Sequence, residues 1–100
     1  MLKRVKFSKE ASFEFRESVE WYESKAKGFG LKFTAEIDST VEKIKLNPDL
    51  YRKVVENVRR IQVTKFPYSL FFSIEDDTVV ILRVFHNERK PLQWHGITRH

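Results

Sequence analysis

The sequence predicts an α+β domain in which a helical hairpin lies over one face of a mostly antiparallel sheet, in the order β-α-α-β-β-β. Three observations carry this reading. Apolar residues recur at helical spacing from Ala11 to Ile44, and the period then changes to two around Ile61. Gly, Pro or acidic clusters stand at the handovers between these stretches. One hundred residues suit a single domain, 1–100, with no repeat, linker or low-complexity tract inside it.

Each element has its own warrant. Arg4–Phe7 is short and extended in character, and Ser8 is placed to cap a helix starting at Lys9. Ala11, Phe15, Val19, Tyr22 and Ala26 form one narrow stripe, so this first helix is expected from Lys9 to Lys27. Lys25 and Lys27 suit the negative end of that helix, and Gly28 suits its left-handed cap. Phe29, Phe33, Ile37, Val41 and Ile44 define a second helix that Asn47-Pro48 ends. The joint at Gly28-Phe29-Gly30 is short enough to fold the two helices back on each other. The stretch DLYRKVVEN, from Asp49, reads as a turn plus one helical turn.

After that the strands begin. Ile61 and Val63 alternate with Arg60, Gln62 and Thr64, and Tyr68, Leu70, Phe72 and Ile74 alternate with their neighbours. VVILRVF is apolar on both faces, as a central strand covered on both sides would be. Glu75-Asp76-Asp77 reads as the tight turn of a hairpin, and Pro67 sits where a ladder can lack one donor.

Composition bounds the function. Hydrophobic residues make up 41%, including nine Phe, which is enough for a packed core. Without cysteine there is neither a disulfide framework nor a thiolate metal site. The basic start lacks an apolar stretch of the signal-peptide kind, and no run approaches the ~20 apolar residues of a membrane span, so a cytoplasmic protein without membrane contact is expected. Residues 1–50 hold ten Lys/Arg against nine Asp/Glu, whereas residues 51–100 hold nine against five. The second half is therefore the basic one, as suits a surface that meets phosphate or an acidic protein, or simply a soluble surface.

Several residues could carry chemistry. Arg59, Arg60 and Lys65 bracket a strand, where basic residues also serve as ordinary edge protection. Arg83 interrupts VVILRVF and needs a carboxylate, a phosphate or an open cleft on its face. His86 directly follows that strand, either as a structural residue or as a proton carrier near neutrality. Cleavage of RNA by its own 2′-OH would use His86 as acid or base and Arg59, Lys65, Arg83 and Arg89 around the phosphorane, with Trp94 or Tyr68 stacking a base. No metal or other cofactor is called for, and His86 with His95 makes no ligand pattern. Phe13 projects from the first helix among Glu10, Glu17 and Glu20, which suggests a protein contact.

Taken together, these stretches resemble the RelE/ParE superfamily of bacterial type II toxin–antitoxin toxins. The matching pieces are Ala11-x-x-x-Phe15 with Trp21-Tyr22, Gly30-x-x-Phe33, Asn47-Pro48 with Tyr51, Val58-Arg59-Arg60, Phe66-Pro67-Tyr68, and Leu82 to His86 with Arg89, Pro91 and Trp94. The resemblance implies a compact toxin, a cognate antitoxin that wraps and neutralises it, and contact with operator DNA only through that antitoxin. RelE-like members cut mRNA on the translating ribosome, and ParE-like members block DNA gyrase. Phe66-Pro67-Tyr68 and the tail look ParE-like. Trp94 lies near the place of the RelE-like tail tyrosine, and only Arg52 and Lys53 stand where such toxins carry dense lysines. Gyrase is therefore the expected target, with mRNA cleavage second and a decayed member that only binds its partner third. Arg60, Tyr68, Lys90 and Trp94 are expected to meet the target and Phe13 the antitoxin. The spatial expectation is that the polar tail folds back, so that the separated cations share one exposed hollow.

Overall fold

A computed structural model describes residues 4–88. The elements are β1 (Arg4–Phe7), α1 (Lys9–Lys25), α2 (Phe29–Leu46), a 3-10 turn (Pro48–Leu50), β2 (Lys53–Val55), β3 (Val58–Gln62), β4 (Tyr68–Glu75) and β5 (Thr78–His86). The five strands form one sheet in the order β1-β5-β4-β3-β2. Only β1 runs parallel to its neighbour, as the helical crossover between it and the later strands requires. No helix among the described residues is long and apolar enough to cross a membrane.

The α+β architecture is the expected one, with one strand added. Lys53–Val55 lies in the stretch read as a turn and a helical turn; it pairs antiparallel with β3 instead. Two valines favour that outcome, and Glu56 turns the chain with φ 46. The first helix also stops two residues early. Ala26 leaves the helix in extended backbone, and Gly28, at φ 90, begins α2. The acidic hairpin turn is as expected, with Asp76 at φ 57 between Glu75 and Thr78.

Apolar alternation divides the core between the two sheet faces. Phe33, Ile37 and Ile44 of α2 meet Leu70, Phe72, Val79 and Ile81 on the helix side. Val58, Phe71, Val80, Leu82 and Phe85 pack on the other. Tyr22, Phe33, Phe66 and Tyr68 form an aromatic cluster where the hairpin joint meets the β3–β4 loop.

The hairpin joint has an unusual cap. Gly28 has no side chain to cap α2, so the Glu23 carboxylate of α1 accepts the N–H groups of Gly28 and Gly30. A Cβ on Gly30 would come 3.0 Å from Glu23 Oε1 and 3.1 Å from the Val19 carbonyl oxygen. That position therefore sets how closely the two helices approach.

The other organising contact is at the sheet margin. β1 accompanies β5 only from Thr78 to Ile81, and the Ser8 N–H closes the pairing on the Ile81 carbonyl at 2.8 Å. The Ser8 side chain accepts the Ala11 N–H at 3.0 Å and donates to the Leu82 carbonyl at 2.9 Å. It thus caps α1 and anchors it to β5 at once. Beyond this point no strand among the described residues covers β5, and Glu14 takes the strand's place. Its Oε1 accepts the Val84 N–H at 2.9 Å, and its Oε2 accepts Arg83 Nε–H at 2.9 Å and a second guanidinium N–H. A bulge makes this possible. Phe71 pairs with Arg83 and Phe72 with Ile81, so Leu82 is the extra residue that re-aims Arg83.

Two variants test these contacts by urea unfolding. Gly30→Ala gains up to ~1 kcal/mol of helix propensity, but the rigid Val19 carbonyl cannot move aside. We expect overpacking to win, with a net loss of about 1–2 kcal/mol; a more stable variant would show the approach to be unimportant. Glu14→Ala strands both a guanidinium and a backbone N–H, and should cost about 3 kcal/mol. A loss below ~0.5 kcal/mol, the size of an ordinary surface change, would contradict the assigned role.

Candidate functional site

The far end of β5 meets the flank of α1 around His86. The register of the last hairpin sets His86 opposite Tyr68, and the two rings meet edge to face at 5.0 Å. His86 Nδ1 accepts the Glu88 N–H at 3.1 Å, so the neutral ring carries its proton on Nε2. To act as a base at Nε2, the ring would have to move that proton to Nδ1 and give up the Glu88 bond.

His86, Tyr68, Glu17, Ser18 and Trp21 line a cavity of about 250 Å³. Tyr68 and Ser18 form its floor, only 4% and 5% exposed, whereas Trp21 is 55% exposed. Lys25 Nζ lies 5.1 Å from the centre of the Trp21 ring. Tyr22 packs behind this wall; burial, and then the nearby Tyr68 phenol, raise its hydroxyl above the ordinary tyrosine value. It is therefore a neutral phenol at physiological pH.

The cations do not gather here. Arg83 pairs with Glu14, itself only 9% exposed, so the partner that its place in the strand called for is a carboxylate, in an internal ion pair. Arg59 donates to the Tyr51 carbonyl at 2.7 Å and to Asp49 Oδ1 at 3.3 Å. Lys65, at φ 72 in the β3–β4 loop, makes an exposed pair with Glu36 at 3.6 Å. Arg60 follows Arg59 on a strand, so their side chains leave opposite faces of the sheet. Its Nε donates to Ser69 Oγ at 2.9 Å, Ser69 donates to Asn87 Oδ1 at 2.7 Å, and Asn87 Nδ2 donates to Gln62 Oε1 at 3.0 Å. The expected single hollow shared by these cations is thus corrected for Arg59, Arg60, Lys65 and Arg83. Arg89, Lys90, Trp94 and His95 lie outside the described residues. Among those described, no three His, Asp or Glu side chains cluster as a metal site would require.

Phe13 is 54% exposed on α1, and Trp21 lies eight residues further along the same helix with Glu17 between them. Sequence reasoning chose Phe13, Tyr68 and His86 but missed Glu17, Ser18 and Trp21 as one constellation. The available signal was the i, i+4, i+8 spacing of Phe13, Glu17 and Trp21, which aligns them on one face.

Comparison with known proteins agrees with this architecture. The family described as "ParE toxin of type II toxin-antitoxin system, parDE" matches residues 5–91. No curated protein sequence matches the chain. Among solved structures, a chain of the chromosomal ParDE TA system from P. aeruginosa superposes with a TM-score of 0.75 at 19% identity, covering 87% of this chain and 98% of that one. The isolated E. coli RelE toxin superposes with a TM-score of 0.63 at 15% identity, covering 96% of each chain. At such identities the likeness is one of fold, and the sequence match from β1 to beyond β5 carries the assignment. This chain belongs to the ParE toxin family of type II toxin–antitoxin systems.

Proposed function

We propose that the chain arrests bacterial growth by binding and inhibiting DNA gyrase, and that its cognate antitoxin reverses this by covering it. One observation carries the choice of a binder over a nuclease: Arg83, the cation on the strand leading to His86, is held by Glu14. An RNA-cleaving site needs cations free to meet the charge that develops on the phosphorane. Arg59 and Lys65 also face carboxylates, Asp49 and Glu36. The His86 tautomer offers a donor at Nε2 and not a base. Membership of the ParE family supports the same reading. Phe13 is the proposed antitoxin contact, with operator DNA engaged only through that antitoxin; Tyr68, Arg60, Lys90 and Trp94 remain the proposed target-facing residues.

Ribosome-dependent mRNA cleavage is the second reading, and the cavity beside His86 is what favours it. In that case His86 is the acid, with Arg59, Lys65 and Arg83 released from their present partners and Arg89 joining them at the substrate. A decayed member that only binds its antitoxin is the third.

The readings part in two assays. Supercoiling by purified gyrase should stop when the protein is added, and His86→Ala should retain most of the effect. A nuclease using His86 for proton transfer would instead lose ~10²–10⁴-fold in rate on that substitution. Normal supercoiling together with transcripts cut on translating ribosomes would replace the proposal with the second reading. Normal growth on inducing the protein alone would point to the third.

A further inference from the structure

We propose that the cavity between α1 and the end of β5 receives an arginine side chain of a partner polypeptide. Two hydroxyls carry the inference. Ser18 and Tyr68 are 5% and 4% exposed, both line this cavity, and neither hydroxyl has a hydrogen-bond partner among the described residues. Ser73 Oγ is the sole fully buried side-chain polar atom without a partner among the described residues, so the Ser18 and Tyr68 hydroxyls stay open to solvent, and a polar guest in the cavity can take them up in place of water. The Glu17 carboxylate lies at the same wall and makes no ion pair among the described residues.

The lining selects the guest. Glu17, Ser18 and Tyr68 present acceptors, and a guanidinium is a group of five N–H donors in one plane. Trp21 adds an exposed indole face, on which guanidinium groups stack. This ring already draws a cation, since Lys25 Nζ lies 5.1 Å from its centre. Charge disfavours the opposite class of ligand. Glu14 is held by Arg83 and Glu23 caps α2, which leaves Glu17 as the carboxylate at this wall, and its charge opposes a phosphate although the chain as a whole is basic. Size narrows the choice again. At about 250 Å³ the cavity is smaller than the ~300–1,000 Å³ of typical small-molecule sites, and suits a single side chain.

The inference rests on reading this end of the molecule as a binding surface, but its test involves neither gyrase nor growth, so the two fail separately. The full chain, labelled with ¹⁵N, is titrated with N-acetyl-arginine amide while the amides of Ser18 and Trp21 and the Trp21 indole N–H are followed by NMR. Saturable shifts with a midpoint on the order of 1–10 mM are expected, as for a single small group without the rest of its partner. N-acetyl-lysine amide should bind several-fold more weakly, because it lacks the planar fork. Glu17→Gln, at an exposed position, should weaken the arginine titration about tenfold by removing a charge-assisted bond. Ser18→Ala should weaken it less, while unfolding like the parent. Absence of shifts at these residues, or equal binding of the lysine probe, would overturn the proposal. So would tighter binding of adenosine than of the arginine probe, which would make this a nucleobase pocket.

Discussion

A single carboxylate stands where a strand should be. β1 pairs with β5 over four residues and stops, and an uncovered backbone N–H on the rest of that buried strand would be costly. Glu14 removes the cost by accepting the Val84 N–H and holding Arg83. This contact joins residues 69 and 70 apart in sequence, so it ties the middle of α1 to the sheet. Ser8 works one step earlier on the same strand, capping α1 while its hydroxyl reaches Leu82. Glu23 does the corresponding task at the other end of α1, where it organises the start of α2. Helix one is thus tied to its neighbours by polar side chains at both ends and in the middle.

The same contact bears on function. A guanidinium engaged by a buried carboxylate is a structural cation, and breaking such a pair to free it for a phosphate is expensive. What this end of the molecule offers instead is an acidic and aromatic flank, made by Phe13, Glu17 and Trp21 of α1, beside a small cavity floored by Ser18 and Tyr68. Among the described basic residues of the second half, Arg59 and Arg60 leave opposite sheet faces and Lys65 sits in the β3–β4 loop, with Arg60 held by the Ser69–Asn87–Gln62 network on the face away from the helices. A surface divided in this way is the basis on which the chain is proposed to bind proteins.

Much of this was legible in the sequence, and the misses have physical causes. The helices were readable because Phe33, Ile37, Val41 and Ile44 repeat over several turns. β2 was not, because three residues are too few to display a period and Lys53–Val55 gains its identity only by pairing with β3. Arg83 announced its need for a partner, but nothing local named Glu14, which lies three residues after the buried Ala11 and so on its side of α1. Arg59 and Arg60 were grouped as one cluster, although adjacent positions on a strand face opposite ways. The cavity escaped notice because it joins α1 to β4 and β5, and only the folded register brings Ser18 beside Tyr68 and His86.

Native-state hydrogen exchange at the Val84 amide tests the central claim most directly. If Glu14 replaces the missing strand, this N–H should exchange only when the sheet opens globally, with protection matching that of paired amides in the middle of β5. Exchange at the rate of an uncovered edge amide, in a protein whose other core amides stay protected, would contradict it.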